Sequence, residues 1–238
     1  MGDSTADHDD PERVPAPKSA NPIAGELLAQ TFDYDGGRGV TVYLPPDPPQ
    51  AVVYCGDGQL LSQWGGYLEA AGLPPTMLVG VHRTDADDEM VRIGEYSPNF
   101  DKRRFAAHER FFVREVSDWI RTRFAIDLPA SRTAIAGVSA SAELSLALGL
   151  RHPDIYGAVF SASPGGGYQP PSPMPSALPR TYLTAGTLEP FFLDNATRWA
   201  EALRAANAEV ILTECVGDHG DPFWQAEFLK MVAWASEP

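Results

Sequence analysis

The sequence has no long apolar run. It contains no run of about 18 apolar residues, the length that a helix needs to cross a bilayer. The first 22 residues are polar, acidic and rich in proline, unlike the basic start and apolar middle of a signal peptide. We therefore expect a cytoplasmic protein with a disordered acidic tail at residues 1–24 and one folded domain at residues 25–238.

The chain is also poor in cysteine and in basic residues. Its two cysteines, Cys55 and Cys215, lie at the ends of different predicted strands without metal-ligand spacing, so we expect reduced, partly buried thiols. The chain has 32 acidic but only 18 basic residues, and no basic cluster offsets the formal net charge of −14 locally. This balance argues against nucleic acid and anionic lipid as partners. Nothing in the sequence indicates a cofactor or an oligomeric state.

What the sequence has is a regular alternation of short β-branched or apolar runs with longer amphipathic stretches. This alternation predicts an α/β fold, with a mostly parallel central sheet and helices on both faces. The predicted strands are 38–44, 51–55, 76–82, 132–137, 156–161, 180–185 and 209–214, with an antiparallel strand at 27–33 before them. The predicted helices are 102–124, 140–151, 194–206 and 223–235. Residues 164–179 are too rich in glycine and proline for either state and predict a loop.

A serine at a strand-to-helix turn is the first candidate for chemistry. The strand-like TAIAG is followed by VSASA at 138–142 and then by an apolar helical run. Small residues such as Gly137 and Ala140 allow a tight turn, which can hold Ser139 in a strained and exposed position. The N–H groups at the start of the following helix suit a developing oxyanion. The structural alternative is a crossing of small residues between helix and sheet, with Ser141 as the helix N-cap.

A carboxylate and a histidine follow the last two strands, which gives the chain order of nucleophile, acid and base that a serine nucleophile at such a turn requires. Of the five histidines, His219 lies between the last strand and the final helix, whereas the others lie in the tail, in helices or at an earlier strand end. Glu189 follows the strand at 180–185, and Asp194 is the reserve candidate for the acid. His219 would accept the proton of Ser139 while Glu189 orients the imidazole. The structural alternative for Glu189 is a solvated loop carboxylate, and that for His219 is a turn residue that caps the last helix.

About 200 residues of the chain resemble a branch of the α/β-hydrolases, the family of putative esterases that includes the enterochelin esterases. The resemblance is carried by collinear segments: CGDGQLL, RIGEYSPNF, HERFFVREVSDWI, AGVSASAELSLALGLRHPDIYGAVFSASPG, AGTLEP and GDHGDPFW. It implies that Ser139 is the nucleophile, Glu189 the acid and His219 the base. It also implies an oxyanion hole formed by the backbone N–H groups of Gln59 and Ala140.

The resemblance also covers Arg92, Glu95 and Tyr96, to which we assign no chemistry. A structural ion pair or loop anchor and a contact with substrate are both open for them. The sequence departs from the family in two places, with Ser141 at the second glycine of the nucleophile motif and three consecutive glycines at 165–167 where relatives often carry bulkier residues. Both departures bear on the shape of the pocket, which the glycine- and proline-rich loop is expected to roof.

The expected function is therefore hydrolysis of carboxylic esters, either siderophore-type lactones or other small esters, through an acyl-enzyme. The expected partner is a small-molecule ester. Two alternatives are open: acyl transfer to an alcohol at the same site, and a catalytically inactive binding protein that keeps the fold. The acidic residues beside His219 lack a second nearby histidine or cysteine, so no metal site is predicted.

Overall fold

A computed structural model describes residues 24–237, in which eight strands form one sheet in the order β1-β2-β4-β3-β5-β6-β7-β8. The strands are β1 (Glu26–Phe32), β2 (Arg38–Leu44), β3 (Ala51–Cys55), β4 (Thr76–Val81), β5 (Thr133–Val138), β6 (Ala158–Ala162), β7 (Arg180–Gly186) and β8 (Val210–Cys215). β1 and β4 both pair with β2 in antiparallel fashion, and all other neighbours are parallel. The predicted, mostly parallel sheet is confirmed. The tail predicted at residues 1–24 lies outside the described residues except for its last residue.

Helices and turns fill the connections between the strands. The helices are α1 (Gly58–Leu61), α2 (Gly65–Ala70), α3 (Glu89–Tyr96), α4 (Lys102–Arg110), α5 (Ser117–Phe124), α6 (Ala140–Arg151), α7 (Pro190–Ala205) and α8 (Phe223–Ser236). A π-helical turn at Phe111–Val116 joins α4 to α5, and 3-10 turns lie at Ser62–Trp64 and Ala130–Arg132. Residues 164–179 contain neither helix nor strand, as predicted. No helix between residues 24 and 237 is both long enough and apolar enough to span a membrane.

Both faces of the sheet are covered, as the alternation of side chains along β3 shows. Val52 and Tyr54 belong to one buried apolar cluster, and Val53 and Cys55 belong to another. Successive side chains of a strand point to opposite faces, so the two clusters lie on opposite sides of the sheet. The first cluster contains side chains of α4, α6 and α7, and the second contains side chains of α1, α2 and α8. The helices on both faces are therefore confirmed.

The structure differs from the sequence prediction mainly in the helices. α1 and α2 were not predicted, because they lie in a glycine-rich segment. Its glycines do not interrupt the helices but allow them to pack closely against their neighbours. A methyl group on Gly58 would lie 2.0 Å from the carbonyl carbon of Gly80, and one on Gly65 would lie 2.1 Å from the ring of Tyr43. α3 was not predicted either, and α7 begins earlier than predicted, at Pro190, since the fixed φ of proline suits a first helical turn. Strand ends differ from the prediction by at most two residues.

The parallel strands bring the candidate residues to one edge of the sheet. β3 pairs with β5, and β6, β7 and β8 follow in that order. In parallel sheets, ligands bind outside the carboxyl ends of the strands. The candidate residues follow those ends: Gln59 after β3, Ser139 after β5, Glu189 after β7 and His219 after β8.

Candidate active site

Ser139 lies at a strained turn between β5 and α6. Its backbone has φ 57° and ψ −122°, a conformation that is unfavourable for a residue with a side chain, and its N–H donates to the carbonyl of Ala162 at 2.9 Å. The turn is closely packed, since a methyl group on Gly137 would lie 1.9 Å from the carbonyl oxygen of Ser141. The alternative of Ser141 as N-cap is wrong, because Ser139 occupies that position. The Ser141 hydroxyl instead contacts the N–H and the carbonyl of Val138, at 2.8 Å each.

The structure brings Ser139, His219 and Glu189 into one chain of hydrogen bonds. His219 Nε2 lies 2.9 Å from Ser139 Oγ, and His219 Nδ1 lies 2.6 Å from Glu189 Oε2. Because a carboxylate only accepts hydrogen bonds, Nδ1 carries the proton and Nε2 is free to accept the proton of the serine hydroxyl. The reserve candidate, Asp194, is an exposed residue on α7. The three predicted residues therefore have the contacts that proton transfer requires.

Two aromatic rings fix the plane of the His219 imidazole. The ring of Phe192 stacks on it with centroids 3.9 Å apart and an interplanar angle of 20°. The ring of Trp224 meets it edge-on at 4.9 Å and 88°. The His219 side chain is nevertheless 32% exposed. Water can therefore reach an imidazole whose orientation is already set, which lowers the cost of ordering the site for reaction.

The carboxylate of Glu189 is buried and held by further donors. Its Oε1 accepts from the N–H of Gly186 at 2.6 Å and from the hydroxyl of Ser163 at 2.5 Å. Ser163 Oγ accepts in turn from the indole N–H of Trp224 at 2.7 Å. Ser163 is fully buried and has φ 50°, so a strained backbone places this hydroxyl against the carboxylate. Neither Ser163 nor Trp224 was predicted as a site residue, although both lie in segments that carry the resemblance: Ser163 directly follows β6, and Trp224 ends GDHGDPFW.

The two predicted oxyanion donors lie on adjoining turns. Ala140 is the first residue of α6 and Gln59 the second residue of α1, so neither backbone N–H has an acceptor within its own helix. The turns pack closely, since a methyl group on Gly56 would lie 2.7 Å from Cβ of Ser141. The Gln59 side chain is exposed, and its Oε1 accepts from the N–H of Arg83 at 3.2 Å. Two backbone donors are thus available at the edge of the sheet that carries the serine.

Arg92, Glu95 and Tyr96 lie on α3 and bind other residues of the protein. Arg92 pairs with Asp57, with Nη2 to Oδ2 at 2.6 Å and Nε to Oδ1 at 3.0 Å. Glu95 is fully buried and accepts from both terminal nitrogens of Arg38, at 2.8 and 3.0 Å. Burial alone would lower the pKa of Arg92, but hydrogen bonding and the charge of Asp57 outweigh it and raise the pKa, so Arg92 stays charged. These contacts favour the ion-pair interpretation over contact with substrate.

The glycine-rich loop at 164–179 packs against α6, one helical turn beyond Ser139. Glu143 Oε1 accepts from the N–H of Gly167 at 3.0 Å. Its Oε2 is buried and has no hydrogen-bond partner among residues 24–237. Burial raises the pKa of Glu143, and the hydrogen bonds to its carboxylate offset the rise only in part. The loop is thus attached to α6, the helix that follows Ser139, through a carboxyl group whose pKa is raised by burial.

Large apolar side chains are exposed around the same edge of the sheet. Phe191 is 60% exposed and Phe100 is 53% exposed. A methyl group on Gly166 would lie 3.0 Å from the ring of Phe191, and one on Gly167 would lie 2.3 Å from the ring of Phe100. The bare glycine backbone therefore runs between two exposed rings. Leu60, next to the predicted oxyanion donor, is also exposed. Exposed apolar surface that gathers in one place is typical of a binding site.

The two cysteines and the acidic residues do not add to the site. Both cysteines are free and buried. Burial raises the pKa of Cys55, and it raises the pKa of Cys215 to about 11. Between residues 24 and 237, no group of three or more His, Cys, Asp and Glu side chains is arranged to hold a metal ion.

A mostly parallel sheet, with a serine at a strained turn after a central strand and a histidine after the last strand, defines the α/β-hydrolase fold. The chain belongs to the family described as Putative esterase, whose model matches residues 34–235. Family and fold are those of ester-hydrolysing enzymes. A comparison with curated proteins gives no match.

Several solved structures, two of them named as esterases, share this fold. The enterochelin esterase from Shigella flexneri is similar with a TM-score of 0.76 and 18% identity, over 92% of this chain and 60% of that one. A ferulic acid esterase from Anaeromyces mucronatus has a TM-score of 0.68 and 16% identity, over 88% and 90%. The BES protein from Bacillus cereus has a TM-score of 0.70 and 16% identity, over 95% and 98%. The predicted fold is thereby confirmed, and the chain spans only 60% of the length of the enterochelin esterase.

Proposed function

We propose that this protein is a serine esterase in which Ser139 is the nucleophile, His219 the general base and Glu189 the acid that orients it. The observation that carries the proposal is the continuous hydrogen-bond chain from Ser139 Oγ through the imidazole to Glu189 Oε2, at 2.9 and 2.6 Å. The strained position of the serine supports it, since such strain persists at sites where it serves function. We also propose that residues 25–238 form the single catalytic domain.

The first half of the reaction forms an acyl-enzyme. Ser139 Oγ attacks the ester carbonyl carbon while its proton moves to His219 Nε2. The carbonyl oxygen becomes an oxyanion, which accepts hydrogen bonds from the backbone N–H groups of Gln59 and Ala140. Glu189 stabilises the imidazolium through Nδ1. When the oxyanion collapses, the bond from carbon to the alcohol oxygen breaks, and the leaving alcohol takes the proton from Nε2.

The second half returns the enzyme to its starting state. A water molecule attacks the acyl carbon and gives its proton to His219 Nε2, and the oxyanion forms again at the same two N–H groups. Collapse then breaks the bond to Ser139 Oγ, which recovers its proton while the carboxylic acid leaves. The exposed fraction of the His219 side chain, 32%, favours water as the acceptor in this step.

The surroundings of the site favour small, uncharged esters with an apolar part. Exposed Phe100 and Phe191 flank the glycine backbone beside the nucleophile's helix, and burying such rings against an apolar group is favourable. The formal net charge of −14 disfavours strongly anionic substrates. Structural relatives are named as esterases of enterochelin and of ferulic acid, so siderophore-type lactones and other small esters are the compounds to test first.

The test is hydrolysis of p-nitrophenyl esters from acetate to octanoate, together with fluorophosphonate labelling followed by mass spectrometry. We expect turnover and labelling at one serine, and we expect Ser139→Ala to abolish labelling and lower kcat by about 10⁴-fold or more. The matched control is Ser131→Ala, because Ser131 is an exposed serine just before the opposite end of β5. Absence of both turnover and labelling in folded wild-type protein would contradict the proposal.

A further inference from the structure

The turn that carries the predicted oxyanion donor Gln59 is built around a buried, strained aspartate. Asp57 is 4% exposed and has φ 49° and ψ 44°, a left-handed conformation that is unfavourable for a residue with a side chain. Its carbonyl accepts from the N–H groups of Leu60 and Leu61, at 2.8 and 3.3 Å. The turn therefore uses the N–H groups that follow Gln59 and leaves that of Gln59 itself available. The direction in which this N–H points depends on how Asp57 is held.

Two residues of α3 hold Asp57 at three of its atoms. The guanidinium of Arg92 binds both carboxylate oxygens, at 2.6 and 3.0 Å. The hydroxyl of Tyr96 accepts from the backbone N–H of Asp57 at 3.1 Å and lies 3.4 Å from Oδ1. Arg92 and Tyr96 are one helical turn apart and face the same way, with the guanidinium 5.4 Å from the centre of the tyrosine ring. A bidentate ion pair fixes the plane of the carboxylate as well as its position.

α3 is itself bound to the sheet, which holds Arg92 and Tyr96 in place. Glu95 lies between Arg92 and Tyr96 in the sequence and accepts two hydrogen bonds from Arg38 at the start of β2. The Arg38 and Glu95 side chains are 3% and 0% exposed. Ion pairs shielded from water in this way are screened little by salt. The chain Arg38–Glu95–α3–Asp57 thus links an antiparallel strand of the sheet to the turn beside the nucleophile.

We infer that Arg92 and Tyr96 are positioning residues for ester hydrolysis, which fix Asp57 so that the N–H of Gln59 meets the oxyanion. The inference rests on the proposed function. Neither residue touches the reacting atoms, and both act through Asp57. A donor that is set before the reaction stabilises the charge that develops in the transition state more than it stabilises the bound ester. Removing the contacts of Arg92 or Tyr96 with Asp57 therefore lowers kcat and leaves KM nearly unchanged.

The test uses Tyr96→Phe, which removes one hydroxyl and keeps the ring, together with Arg92→Met and Arg92→Lys. We expect kcat for a p-nitrophenyl ester to fall about 10-fold in Tyr96→Phe and about 100-fold in Arg92→Met, with KM changed less than about 2-fold. Arg92→Lys keeps the charge but not the bidentate geometry, so we expect only partial recovery. Inhibition by phenylboronic acid, which forms a tetrahedral anion on Ser139, should weaken in parallel with kcat.

The matched control is Tyr43→Phe, which also removes a buried tyrosine hydroxyl, here one that donates to Glu69 at 2.6 Å. We expect it to lower the thermal unfolding temperature and to leave kcat and boronate inhibition unchanged. Equal losses of kcat in Tyr43→Phe and Tyr96→Phe would overturn the inference, and so would a folded Tyr96→Phe protein with unchanged kcat and inhibition. Wild-type protein that fails to label at Ser139 would instead overturn the proposed function. If Arg92→Met does not fold, Tyr96→Phe decides alone.

Discussion

Replacing Ser163 by alanine should destabilise the protein and slow its reaction, because one hydroxyl connects Trp224 to Glu189. That hydroxyl accepts from the indole N–H at 2.7 Å and donates to the carboxylate at 2.5 Å. Without it, the indole N–H of a residue that is only 8% exposed has no acceptor, which costs about 1–3 kcal/mol. A hydrogen bond to a charged group contributes about 1.5–3 kcal/mol. Because the two effects share one group, we expect a loss of about 3 kcal/mol in the free energy of unfolding.

A double-mutant cycle measured by urea denaturation separates this connection from general damage. Trp224→Phe removes the donor and shrinks the side chain, so it is destabilising alone. In the double variant with Ser163→Ala, no indole N–H is left unpaired. The combined loss should therefore be smaller than the sum of the single losses by about 1–2 kcal/mol. Additive losses would refute the argument that the hydroxyl satisfies the indole.

The same substitution should affect catalysis through Glu189. After Ser163→Ala, Oε1 keeps only the N–H of Gly186 as a donor, at 2.6 Å, and the carboxylate gains freedom to turn away from His219. We expect kcat to fall about 10-fold with KM nearly unchanged, since misplacement of a catalytic group by about 1 Å costs up to 10²-fold. Steady-state kinetics on a p-nitrophenyl ester measure both constants. An unchanged kcat in the folded variant would show that Gly186 alone orients Glu189.

Three further predictions follow from the packing and the buried titratable groups. Gly137→Ala should unfold the protein or destabilise it by about 3 kcal/mol in urea denaturation, because the methyl group would overlap the backbone behind Ser139. Burial raises the folded-state pKa of Glu143. The free energy of unfolding of the wild-type protein should therefore fall as pH rises from the unfolded pKa of about 4.3 through the higher folded value. Glu143→Gln should lose this pH dependence when both proteins are unfolded in urea between pH 4.5 and 8. Cys55 and Cys215 should resist a thiol reagent at pH 8 until urea is added, since burial raises both pKa values.

Much of the sheet was predictable because its strands are short and strongly apolar. β2 and β3 have the predicted bounds, and the other strands differ by at most two residues at either end. α1 and α2 were not predictable, because glycines in a sequence indicate turns. Only the structure shows that Gly58 packs against Gly80 and that Gly65 packs against the ring of Tyr43. Such glycines are selected by tertiary packing, which a local pattern does not contain.

The contacts among Ser139, Glu189 and His219 could be anticipated because their order and their places after strands are visible in the chain. Their support was not visible. Ser163 and Trp224 are 61 residues apart, and nothing in the two segments that contain them indicates that they touch. Arg92 lies 35 residues from Asp57, and the sequence left its role open between ion pairing and substrate contact. Hydrogen-bond partners brought together by the fold follow no spacing rule, so geometry alone reveals them.

The position of β3 between β4 and β5 has a consequence for folding kinetics. β3 pairs with β5, although α1 to α5 lie between them in sequence. The turn with Gln59 follows β3, whereas Ser139, Glu189 and His219 follow strands from β5 onward. A refolding chain that has assembled only β5 to β8 would hold the proposed nucleophile without the second proposed oxyanion donor, because long-range pairing is slow to form. Labelling of the serine would then recover before ester turnover, and the interval between them would time the docking of β3.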